Sequence, residues 1–406
     1  MGVGAVVIGG HLNGLGVVRA LAARGIPVAL VTTQPHDLAQ YSRYASDHVP
    51  LRDLDEEPAL LAELLTQRAG RWLGWAVFPT CDGALAALAQ APDRVWEAYR
   101  VVAPPPEVVR TLLDKERMGR AAAAAGLLLP HDYGPAQEAN PALGGVRFPA
   151  VVKPVCGHLF FARFGSKLFV AGGREELDVC LRRVAEAALP CRVADLVPGR
   201  DDTIYAHCIY VDARGEPGPG LTVHKLRQSP PGFGVARVAE VVPDPPGVRE
   251  ATIALLRGIG FRGLAAAEFK WDERDGTFRF LEVNGRSVIY NGLLRRAGLD
   301  LAGMAWMDRV EGRPQEVRPR GWPGVWVNLH ADLLCSLFLR RRDPVGLKEF
   351  LAPYRRSVVD AVWSARDPGP FLAQWGRTLR DGAAAALRGG HRELLADRTR
   401  QAVSGR

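Results

Sequence analysis

Over residues 1 to about 105 the chain alternates short apolar runs with amphipathic stretches. Ala5–Ile8, Pro27–Val31 and Trp75–Pro79 are continuous apolar runs, the pattern of strands buried on both faces. Between and after them Gly14–Ala23, Leu60–Gln67 and Gly83–Ala89 carry apolar residues at helical spacing. This alternation predicts a doubly wound α/β domain with a parallel sheet covered on both faces. Pro104, Pro105 and Pro106 then punctuate the chain, and Glu107–Ala125 reads as one helix of strong formers that stops at Gly126.

From about 148 to 286 the pattern turns to strands. They are expected at Ala150–Lys153, Lys167–Ala171, Cys191–Leu196, Ile204–Val211, Gly220–Leu226, Arg237–Val242, Leu264–Trp271 and Thr277–Asn284. With helices near Arg174–Ala187 and Gly247–Gly258, this is an α+β body built on antiparallel sheets. Helices are expected beyond it at Leu299–Val310, Leu329–Arg342 and Leu372–Leu395. The boundaries are therefore 1–105, 106–316 with a small subdomain at about 148–198, and a mostly helical extension at 317–406. The arginines closing Leu333–Arg342 read as cations on a helix C-terminus, not as a membrane surface.

Composition narrows the function. A net charge of +8 suits anionic ligands such as nucleotides, but the basic residues are dispersed and no basic-aromatic motif points to nucleic acid. No apolar run reaches membrane-spanning length, and Met1–Ile8 lacks the basic flank and cleavage site of a signal peptide. The six cysteines stand singly with no C-x-x-C pair, as in a reduced cytoplasmic protein. The cations are more informative: there are six lysines against 46 arginines. Each lysine is an exception to the chain's own habit, and a compact ammonium suits a point contact to phosphate.

The strongest local signal is a hairpin. The strands around Glu268 and Glu282 flank Arg274-Asp275-Gly276, which reads as a three-residue loop with glycine in the left-handed position. Pairing outward from Asp275 sets Trp271 against Arg279 and Glu268 against Glu282. Glu268, Glu282 and Asn284 then share one face, while Ala267, Phe269, Trp271, Leu281 and Val283 form an apolar face. Facing carboxylates repel. A cation between them is the remedy, and two carboxylates with an amide oxygen are the hard donors magnesium takes.

With these residues in order, the chain resembles the ATP-grasp superfamily, specifically its carboxylate–amine ligase branch of biotin-carboxylase-like and D-aspartate-ligase-like enzymes. The resemblance rests on Glu268, Glu282-Val283-Asn284-Gly285-Arg286, the Leu113-Asp114-Lys115 helix and Phe148-Pro149-Ala150-Val151-Val152-Lys153-Pro154. Gly165-Ser166-Lys167, the segment from Leu196 to Asp202 and the segment from Lys225 to Gly234 extend it. It covers residues 1 to about 300 and only loosely the last hundred.

The resemblance implies an ATP-grasp fold and these roles. Lys115, Lys153, Lys167 and Lys225 would serve ATP, with Cys156–Gly165 as a phosphate-covering loop. Asp195, Leu196 and Val197 would read the adenine, and Asp201 or Asp202 the ribose. Glu268, Glu282 and Asn284 would hold one or two Mg2+, Mn2+ being an alternative. Arg286 would steady an acyl phosphate, with Arg227 or Arg237 as a second cation on the transferred phosphoryl group. His11, Asn13 and Asp82 lie at predicted strand C-terminal ends and would line the substrate pocket.

The implied activity is joining a small-molecule carboxylate to an amine through an acyl phosphate, with ADP and phosphate released and no nucleic-acid or membrane partner. A homodimer is compatible with it. The alternatives are a bicarbonate-activating, carboxylase-like enzyme and a non-catalytic nucleotide-binding regulator. A dinucleotide oxidoreductase is disfavoured, because Gly9–Gly16 lacks G-x-G-x-x-G spacing.

Overall fold

The computed structural model describes residues 2–52, 54–137, 140–155, 157–313, 317–338 and 345–387. The N-terminal sheet is parallel, with β1 (Ala5–Ile8), β2 (Val28–Thr32), β3 (Ala45–Pro50), β4 (Ala76–Pro79) and β5 (Arg100–Val101) in the order β3-β2-β1-β4-β5. β1 and β4 are fully buried, because helices cover both faces of this sheet. After β1 the chain turns so tightly that a side chain on Gly14 would stand 2.0 Å from the Gly9 carbonyl oxygen, so glycine is needed there.

The helix expected over 107–125 is two helices, Pro106–Leu113 and Lys115–Ala124. Asp114 breaks it: its carboxylate accepts from the backbone N–H of Glu116 (2.9 Å) and Arg117 (3.0 Å) and caps the second helix.

A small antiparallel sheet follows, with β6 (Asp132–Pro135), β7 (Ala150–Pro154), β8 (Phe169–Ala171) and β9 (Cys191–Asp195) in the order β6-β9-β7-β8. Helix Arg174–Glu186 buries Leu177, Leu181 and Val184 against Val152 and Val193 of this sheet. The expected covering loop is instead largely helical, over Gly157–Phe164. Phe160 is fully buried against Phe164 and Phe169, at ring separations of 4.8 and 4.9 Å, which fixes the segment by packing. Cys156 lies outside the described residues.

The large sheet comprises β10 (Ile204–Val211), β11 (Pro217–Ser229), β12 (Val235–Val242), β13 (Gly263–Asp272), β14 (Thr277–Asn284), β15 (Val325–Val327) and β16 (Val358–Asp360). Its order is β14-β13-β10-β11-β12-β15-β16. One face, with Ala206, Cys208, Val223 and Ala266, shares a core with Leu15 and Leu21 of the N-terminal domain. The other, with Ile209, Ala265, Ala267 and Phe269, packs on Leu255 and Leu256 of helix Val248–Gly258.

The C-terminal stretch adds helices Leu329–Phe338, Leu347–Leu351 and Gly369–Leu387, and its short β15 and β16 extend the large sheet. Arg340–Arg342 and the end of the helix expected to reach Leu395 lie outside the described residues. No helix among the described residues is long and apolar enough to cross a membrane.

The β13–β14 hairpin is braced at its tip by Asp272, whose side chain is fully buried. Hydrogen bonds from the Arg274 side chain (2.9 and 2.7 Å) lead the causes that lower its pKa to about 2. A depressed carboxylate stabilises the fold above its unfolded pKa of about 3.9 and loses that contribution as pH falls toward 2. Unfolding measured between pH 5 and 2 is expected to show Asp272→Asn with a flatter acid limb, by about 2 kcal/mol over that window. Superimposable acid limbs would remove Asp272 from the brace.

Candidate active site

The hairpin brings its two glutamates together by a route different from the one expected. Its loop is four residues, 273–276, with Gly276 at φ +67°, so Trp271 faces Phe278 and Lys270 faces Arg279. A bulge at Leu281 adds one residue to β14 and restores the pairing, so Glu268 faces Glu282 after all. Leu281 is consequently 38% exposed and is not a core residue, while Phe280 takes the buried place.

From this hairpin the polar groups run in a line. Glu268 accepts from Lys225 Nζ on β11 at 2.7 Å, and the Asn284 amide lies 3.4 Å from Glu282 Oε1. Two residues on, Arg286 Nε donates to Asp82 Oδ1 at 2.7 Å. Burial opposes the Arg286 charge, and the neighbouring Asp82 carboxylate more than offsets that and raises its pKa.

Asp82 follows β4, and Asn13 and His11 follow β1. The strand order reverses between β1 and β4, which is where an open α/β sheet presents its crevice. Asn13 Nδ2 crosses this crevice to the Thr80 carbonyl (2.9 Å), and His11 is exposed at its rim. Arg286 thus reaches the mouth of the N-terminal domain, and Asp82 joins the line by direct contact.

The small sheet supplies a second group. Lys115 Nζ donates to the Pro154 carbonyl at 2.9 Å, which sets it beside Lys153 at the end of β7. Lys153 Nζ lies 3.7 Å from Asp132 Oδ2, and Lys167 is half-buried before β8. Asp195 at the end of β9 is buried, accepting from Tyr133 Oη (2.7 Å) and Arg147 Nη2 (2.6 Å). Leu196 gives its N–H to the Pro149 carbonyl at 3.2 Å, and the buried Val197 continues the connection from β9 to β10, the hinge between the small and the large sheet.

Asp201 is occupied by the backbone N–H groups of Gln228 and Gly232, both at 2.7 Å, so it ties the hinge to the β11–β12 turn. Asp202 keeps an exposed carboxylate, while its carbonyl is 2.7 Å from His224 Nε2.

Arg227 and Arg237 are placed apart from the hairpin line, around the fully buried Asp332 of helix Leu329–Phe338. Arg227 makes a two-point contact to Asp332 (3.0 and 2.7 Å), and Arg237 Nε stands 3.2 Å from the same carboxylate. Tyr354 Oη also donates to Asp332 at 2.6 Å. Sequence reasoning missed Asp332 and Tyr354, which are remote in the chain. It also missed Lys270, whose ammonium reaches the Gly199 carbonyl at 3.1 Å and whose rarity as a lysine was the available signal.

No protein-family model matches the chain. In sequence it is 28% identical over 193 residues to D-aspartate ligase of Enterococcus faecium (strain Aus0004), covering 44% of this chain and 46% of that protein. The chain therefore matches less than half the length of this curated relative.

In structure it resembles the L-amino acid ligase of Bacillus licheniformis, with a TM-score of 0.60, 15% identity, and coverage of 78% of this chain and 79% of that one. It is also similar to the N5-carboxyaminoimidazole synthetase of Staphylococcus aureus (TM-score 0.60, 15% identity, 85% and 87% covered). The biotin carboxylase of Campylobacter jejuni resembles it as well (TM-score 0.60, 15% identity, 80% and 74% covered). The chain has the ATP-grasp fold, and its resemblance is to the carboxylate–amine ligase branch of that superfamily.

Proposed function

We propose that the chain is an ATP-dependent ligase that activates a small carboxylate as an acyl phosphate and couples it to an amine, releasing ADP and phosphate. The observation that carries this reading is the hairpin face on which Lys225 holds Glu268 and Asn284 meets the facing Glu282, with Arg286 two residues on bonded to Asp82. A metal-type donor set thus lies next in sequence to a contact with the crevice of the N-terminal domain. The relative's activity on D-aspartate and the ligase neighbours support it.

The donor set fits magnesium. Two opposed carboxylates and an amide that can turn its oxygen inward are hard donors. Lys225 holds one oxygen of Glu268, so a metal would take the other oxygen or displace the ammonium toward phosphate. Bound by Glu268, Glu282 and Asn284, magnesium would neutralise phosphate oxygens as a Lewis acid.

The chain's own residues do the rest. Lys115, reaching from its helix, and Lys153, at the end of β7, hold the phosphates, and Lys167 stands at the β8 side of the covering segment. Asp195 stiffens the hinge from which Leu196 and Val197 meet the adenine, and Asp202 holds the ribose. Arg286 binds the activated carboxylate and the oxyanion formed on amine attack, and Asp82 fixes its fork. His11 and Asn13 line the substrate side, while Arg227 and Arg237, held by Asp332, act at longer range. The reaction needs positioning and electrostatics more than a covalent nucleophile.

Phosphate release from ATP, measured with and without added carboxylates and amines, tests this. Release that requires both substrates supports ligation; release indifferent to either contradicts it. For the lysines, Lys153→Met is expected to weaken ATP binding by about 1.5–3 kcal/mol, the range for hydrogen bonds to charged groups. Calorimetry showing unchanged affinity would return Lys153 to its contact with Asp132.

A further inference from the structure

The nucleotide reading leaves one buried cation without a task. Lys270 lies on β13 two residues from Glu268 and therefore on the same face, and both Lys270 and Lys225 pair with Ile204 of β10. Lys270 is only 7% exposed, yet among the described residues its one hydrogen bond is to the Gly199 carbonyl, at 3.1 Å.

An ammonium carries three donors, and burying a charge beside a single neutral acceptor is unfavourable. The nearby carboxylates do not correct this. Asp201 is taken by Gln228 and Gly232, and Asp272 by Arg274 and Arg279. Burial accordingly lowers the Lys270 pKa, against the more distant attraction of Asp201, Asp272 and Glu273.

Position says which ligand would complete it. Gly199 lies between Val197 and Asp202, in the hinge assigned to the base and ribose. Glu268, at the phosphate end, is about 7 Å further along the strand at two residues' rise.

Resting on the ATP-ligase reading, we infer that Lys270 donates to an acceptor on the nucleoside half of the bound nucleotide, a ribose oxygen or a ring nitrogen. It thereby joins the hinge to the metal-bearing strand. Lys115, bonded to the Pro154 carbonyl, and Lys153 beside it at the end of β7 hold phosphate instead, so the two sets divide the nucleotide between them.

The experiment measures ADP affinity by calorimetry, tripolyphosphate as a competitor of ADP, and melting without nucleotide. Lys270→Met is expected to raise the ADP dissociation constant about ten-fold or more, from the loss of a charged hydrogen bond. Tripolyphosphate affinity should not change. Melting should stay level or rise, because a poorly partnered buried charge has been removed. Lys270→Gln can keep the bond to Gly199 and should lose ADP affinity similarly, which covers the case of a Met variant that does not fold.

Unchanged ADP binding in either folded variant overturns the inference alone. A lower melting temperature with equal losses for ADP and tripolyphosphate also overturns it, in favour of a structural role. An unmodified chain that does not bind ADP overturns the nucleotide reading itself.

Discussion

Glu282→Gln is expected to lower magnesium-dependent turnover by about a hundred-fold or more, the scale of several kcal/mol of charge stabilisation by a bound metal. The reason is the register. Glu282 faces Glu268 across the hairpin and touches Asn284, so in the proposed metal site it would supply one of two formal negative charges. Glu282 is exposed and its neighbour Val283 fills the core, so the amide should leave the melting temperature nearly unchanged. Initial rates against magnesium concentration check this. Near-normal rates at low magnesium would move the metal away from the hairpin.

The second large effect is at Arg286. Arg286→Lys keeps the charge but loses the planar fork that meets Asp82 and, in the proposed reaction, would also meet a substrate carboxylate. Turnover should fall about 10²–10³-fold, as when a donor to a developing oxyanion is removed, with ATP affinity within about two-fold of the parent. Steady-state kinetics with independent nucleotide binding separate the two. A loss confined to ATP binding would make Arg286 a nucleotide contact.

Sequence reasoning reached most of this fold where one pattern dominated. Ile204–Val211 and Thr277–Asn284 match the observed strands in both bounds, because their apolar residues follow strand patterns bounded by turn residues. β3 escaped because it is half-exposed and carries Asp47 and His48 in place of an apolar run. The 107–125 helix was overread because an alanine-rich stretch masks the capping carboxylate at Asp114.

At the site, the facing glutamates were reached although the loop length was wrong. The bulge at Leu281 cancelled the one-residue error, and a bulge leaves no mark in a hydrophobic pattern. Arg227 shows the harder limit: its partner Asp332 is 105 residues away, and only the packing of the C-terminal helices on β11 and β12 reveals it. The Lys225–Glu268 pair, 43 residues apart, depends likewise on strand order and not on local sequence.

In the proposed ligase, Arg286, which reaches from the hairpin to the crevice residue Asp82, is the residue that would tie nucleotide chemistry to a carboxylate substrate. The most direct test follows oxygen. With a carboxylate that supports turnover, labelled with oxygen-18 in its carboxyl group, attack on the γ-phosphorus followed by displacement by the amine must leave one labelled oxygen in each released phosphate. The proposed route therefore predicts labelled phosphate in one-to-one ratio with ADP. Unlabelled phosphate, or AMP with pyrophosphate in place of ADP, would contradict it.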